Sequence, residues 1–98
     1  MAVRQRVWQP ELSWRVFRKE LPNDWCLRIN ERYTVPFANG YVLQITRAEH
    51  NDDGWECALE RRGRFAKHAD FPHGPQLIME EAAVDALVER VAGYPAGE

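Results

Sequence analysis

Ninety-eight residues suffice for one domain with one hydrophobic core. At 45% hydrophobic and 11% aromatic the chain is not a disordered one, and it lacks the ~18-residue apolar run of a membrane-spanning helix. The net charge of −2 is unevenly spread: residues 1–34 carry seven Arg and Lys against four acids, and residues 69–98 one Arg against six acids.

A calculated pI of 5.9 lies well below the basic values that mark most nucleic-acid-binding domains. The basic opening residues have no apolar stretch behind them, so no secretory leader is expected and the cytoplasm is the expected location. Cys26 and Cys57 fall on opposite strand parities and read as two reduced thiols rather than a disulfide.

In chain order, residues 1–20 read as N-terminal strands, "AVRQRVW" and "SWRVFRK". A helix is the competing reading for the second segment, because Trp14, Phe17 and Leu21 would share one side of it. Residues 25–69 read as a four-stranded antiparallel meander. Trp25, Leu27 and Ile29, then Tyr41, Leu43 and Ile45, then Trp55, Cys57 and Leu59 alternate with polar or small neighbours. All of these apolar residues are odd-numbered, and directly opposed residues share a face, so paired numbers must sum to an even value.

That parity selects a three-residue loop, Ala38-Asn39-Gly40, pairing Phe37 with Tyr41, Val35 with Leu43, and Tyr33 with Ile45. It favours a five-residue loop, His50 to Gly54, pairing Ile45 with Leu59 and Arg47 with Cys57. A third loop, Arg61-Arg62-Gly63, pairs Leu59 with Phe65. The outer sheet face offers Arg28, Gln44, Thr46, Glu56, Glu60, Arg64 and His68, a polar surface of mixed charge. The Pro- and Gly-bearing "FPHGPQ" excludes regular structure. Val84, Leu87, Val88 and Val91 then form the apolar stripe of a helix over 78–92, ended by Gly93, with 93–98 a frayed tail. The expected fold is a single α+β domain over 1–98, an antiparallel β-meander of four to six strands with one C-terminal helix packed on one face.

No catalytic or cofactor-binding signature is present. Asp52 and Asp53 suit a turn better than a calcium loop, which needs oxygen ligands at alternate positions over about twelve residues. His50, His68, Asp70 and His73 offer zinc-ligand chemistry without a recognisable ligand spacing, so no metal site is assigned. Cys57 faces the core, and Ser13, the one serine, lacks a nucleophile elbow.

Two binding readings compete. Glu81, Asp85 and Glu89 recur every four residues on the polar side of the helix, an acidic stripe suited to a basic partner. Trp8 and Trp14, where exposed, are candidate hot spots for the same partner protein. Together they suggest a small inhibitor, adaptor or immunity-type regulator, of the size of phage-encoded or toxin–antitoxin regulators. The alternative is nucleic-acid binding through the basic hairpin of Arg61, Arg62, Arg64 and Lys67.

Overall fold

The computed structural model describes residues 6–19, 29–48, 54–66, 68–72 and 74–95. Strands β1 (Ile29–Pro36), β2 (Tyr41–Ala48) and β3 (Trp55–Arg61) form an antiparallel meander. Two short segments, β4 (Arg64–Phe65) and β5 (Gln76–Ile78), both pair with β3 and complete a five-stranded sheet. Helix α1 (Glu81–Ala92) covers one face, so the α+β meander is the fold. Among the described residues no helix is long and apolar enough to cross a membrane.

The first hairpin has the expected register, with Tyr33 opposite Ile45 and Val35 opposite Leu43. The Phe37 N–H donates to Tyr41 O over 2.9 Å, and Gly40 closes the loop at φ +93°, a conformation that favours glycine. Asn39 has a second task that the turn alone does not predict. Its amide donates to Val91 O (2.8 Å) and Tyr94 O (3.0 Å), occupying carbonyls at the end of α1 from across the core.

The second hairpin keeps the even-sum rule but not the expected partners. Leu43 lies opposite Leu59 and Ile45 opposite Cys57. This register aligns Val35, Leu43 and Leu59 in one row across three strands, and Tyr33, Ile45 and Cys57 in the next. It also sets the Arg47 guanidinium 5.2 Å from the Trp55 ring centre.

The third hairpin breaks the rule. Arg61 pairs with Arg64 and Glu60 with Phe65 across a two-residue turn, Arg62-Gly63, with φ of 55° and 77°. Positive φ at both positions is the type I′ geometry, whose twist matches the strands it joins. The register is specified only where a long face is buried. With β4 just two residues long, turn geometry prevails over the burial of one side chain. Phe65 therefore stands on the outer face, 67% exposed, in place of the expected Arg64.

Near the N-terminus the structure departs from the expected strand. Residues Trp14–Phe17 form a 3-10 helix that Ser13 caps, its Oγ accepting from Arg15 N at 3.1 Å. At three residues per turn Trp14 and Phe17 fall on one side, against the core, and Val16 points to solvent. Strand-like contact is limited to the Arg18–Tyr33 bridge and the Lys19 N–H to Arg32 O bond (2.9 Å).

The helix begins at Glu81 rather than at residue 78, because Ile78 ends a short strand, Gln76–Ile78, that pairs with β3; Gln76 thereby joins the sheet from the segment read as irregular. Phe71, inside the segment read as irregular, is fully buried. The tail is packed as far as Tyr94, which is buried against Tyr41 and His68.

Val84, Leu87, Val88 and Val91 are all buried in the layer between helix and sheet, each worth about 1.5–3 kcal/mol relative to exposure. Cys57 sits in the same layer. Its burial, and then the neighbouring Glu56 charge, push the thiol from 9.0 up to about 12, so it carries no thiolate at neutral pH. The folded protein holds this proton after the unfolded chain has released it. Stability that is complete below pH 9.0 is therefore lost as pH rises towards about 12. In urea titrations above pH 9, wild type should lose stability faster than Cys57→Ala by about 1.4 kcal/mol per pH unit. Parallel slopes would remove Cys57 from the alkaline transition.

Candidate functional site

The N-terminal segment crosses from the edge of β1 to α1 and back. It is tied to β1 at Trp8, whose N–H donates to Pro36 O (2.8 Å), and again at Lys19. Between these ties a turn over 9–12, with Pro10 at its second position, closes through the Leu12 N–H to Gln9 O bond (2.9 Å). The 3-10 helix then sets Trp14 and Arg15 against α1.

Trp14 Nε1 donates to Asp85 Oδ1 over 2.7 Å, and Arg15 forms an ion pair with Glu81. Arg15 is further held by aromatic rings. Its guanidinium lies 4.8 Å from the Trp14 ring centre and 5.1 Å from that of Trp55, and it donates to Tyr33 Oη at 3.4 Å. Cation, rings and carboxylates thus pin the N-terminal segment to one end of the acidic stripe.

Towards the other end of the stripe the segment and the helix part, leaving an open groove of about 380 Å³. Trp8, Glu11 and Leu12 line the N-terminal wall, and Asp85, Val88 and Glu89 the helix wall. Trp8 is half-buried, its ring tilted against Phe37 at 5.9 Å between centres. Val88 is buried beneath the groove and Leu12 is half-buried in its wall, while Glu11, Asp85 and Glu89 are exposed along it.

Four of the residues singled out from sequence therefore meet in one place: Trp8, Trp14, Asp85 and Glu89. Glu81 is on the same helix face but is engaged by Arg15. Trp14 is no surface anchor. At 2% exposure its ring packs edge-on against Tyr33 (4.9 Å) and Trp55 (5.2 Å), because burying a large aromatic outweighs displaying it. Glu11 was missed. Its signal was the Pro10 turn directly after Trp8, which projects the following acid towards whatever faces it.

The remaining candidates lie elsewhere. Arg62 and Arg64 are exposed at the third hairpin, while Arg61 folds back over the Tyr41 ring at 5.2 Å. His68 stacks on Tyr94 with ring centres 3.6 Å apart, and its Nδ1 accepts from Asp70 N at 3.4 Å. The Tyr94 hydroxyl donates to Asp70, whose carboxylate also lies 3.7 Å from Arg90 Nε. Burial, and then this hydrogen bond, hold the Tyr94 hydroxyl above its ordinary value. These contacts fasten the chain after β4 to the end of α1. No group of three or more metal-ligating side chains converges among the described residues. Trp25, Cys26, Leu27, Arg28, His50, Asp52, Asp53, Lys67 and His73 lie outside the described residues.

No protein-family model matches the chain, and no curated protein or solved structure matches it either.

Proposed function

We propose that this chain is a non-enzymatic protein-binding module, a small inhibitor, adaptor or immunity-type regulator. Its partner engages the groove between residues 8–13 and α1. What carries this reading is the meeting of Trp8, Asp85 and Glu89 in one concave surface, an amphipathic aromatic flanked by acids. Large aromatics beside polar groups are enriched among the residues that anchor small interfaces.

Affinity capture from the source cells, followed by mass spectrometry, tests it. Wild type should retain a protein that Trp8→Ala and Glu89→Lys both lose and that Arg62→Glu/Arg64→Glu keeps. Retention of the same protein by both groove variants would sink the reading.

A second reading rests on the third hairpin, where Arg62, Arg64 and Phe65 are all exposed. Basic side chains beside an aromatic can hold phosphates and stack a base. Glu60, directly opposite Phe65, counts against it. Gel shifts over a salt series decide between the two. Binding that falls steeply with salt and vanishes in Arg62→Glu/Arg64→Glu would favour nucleic acid over a protein partner.

A further inference from the structure

We infer that the groove takes the cationic side chain of a basic partner segment, a lysine or an arginine. This rests on the protein-binding reading and names its ligand chemistry. The side chains of Glu11 on one wall and Glu89 on the other have no hydrogen bond or ion pair with any described residue. Glu81, two turns earlier on the same helix face, has its own cation in Arg15. The stripe is thus neutralised from within at one end and left open at the groove.

The groove matches a long cationic side chain in three respects. Leu12, half-buried in the groove wall, offers apolar surface to a methylene stem, which such side chains bury while the charged head stays near water. Trp8 offers an indole to the head group, the best of the aromatic partners for a cation. Glu11 and Glu89 stand on opposite walls, so a cation between them is approached from both sides. A metal ion is a poorer occupant, since no three acids converge tightly enough among the described residues to ligate one.

The test uses the full chain and two defined probes: a capped peptide alternating glycine with lysine and arginine, and its glutamate counterpart. Binding is read from the indole N–H resonances, with Trp8→Phe identifying the Trp8 signal. The basic probe should shift Trp8 and the backbone amides of Glu11 and Glu89, more weakly as salt is raised. The doubly reversed Glu11→Lys/Glu89→Lys should bind it about tenfold or more less tightly, a loss of ~1.4 kcal/mol or more. Both sites are exposed, and unchanged dispersion of the core amide signals confirms that the fold is intact.

Equal binding of the glutamate probe overturns the inference, as do shifts confined to other surfaces or full binding by the reversed variant. A captured partner that depends on Trp8 but is not displaced by the basic probe would leave the binding module standing and remove the cationic occupant. Displacement by the basic probe alone supports both.

Discussion

Leu87→Asp leaves the chain without a cooperative thermal transition. Leu87 is 2% exposed and projects from α1 into the single core, between the two helix turns marked by Val84 and Val91. Removing a buried leucine side chain alone costs about 2–5 kcal/mol. An aspartate there adds a carboxylate with no partner, which must be desolvated or protonated at a further cost of ~2 kcal/mol or more. A domain of this size is stable by about 5–15 kcal/mol in total, and the sum of about 4–7 kcal/mol or more reaches the lower part of that range. Ala83→Asp is the control. It places the same side chain at an exposed position in the first turns of α1, where the helix dipole favours an acid. A sharp melt for Leu87→Asp, as for Ala83→Asp, would mean that α1 is not docked on the sheet.

Trp14→Ala is the second large effect, about 3–5 kcal/mol of lost stability, read by urea denaturation. Trp14 is the point at which the N-terminal segment, β1, β3 and α1 meet: its ring contacts Tyr33 and Trp55, and its N–H reaches Asp85. Trp14→Phe separates the two contributions. It keeps an aromatic in the cluster and removes the bond to the carboxylate, worth about 1.5–3 kcal/mol. The same substitutions should loosen the wall that carries Glu11, so partner binding should fall together with stability. Wild-type stability in Trp14→Phe would show that Asp85 contributes nothing to holding the segment.

Much of the sheet was legible because its physics is local. Alternation with a period of two assigns faces, and faces restrict the register to even sums, which is why the Val35–Leu43 pairing followed from residue parity. The choice among even sums was not legible. It depends on which rows of three side chains pack together, and the observed Leu43–Leu59 pair differs from the expected Ile45–Leu59 pair by one such step. For β4 the rule failed because only two residues were involved, and a tight turn outweighed one aromatic.

The candidate site was legible only in pieces. The acids of α1 follow from helical spacing, and Trp8 was singled out as a rare, large side chain. That Glu81 is occupied and Glu89 open could not be read from spacing, since it depends on where Arg15 ends up. That Trp14 is core while Trp8 lines the surface is likewise a matter of which ring the sheet's Tyr33 and Trp55 can receive.

Sequence by itself determined the α+β class, the inward faces of the first three strands, the first hairpin and the buried stripe of α1. Each is set by neighbours within a few residues, through pleat, turn or helical period. Tertiary structure alone decided the 3-10 course of residues 14–17, the capping of α1 by Asn39, the packing of Phe71 and Tyr94, and the groove. Each of these joins residues far apart in the chain, and its geometry is settled only when several surfaces are buried together.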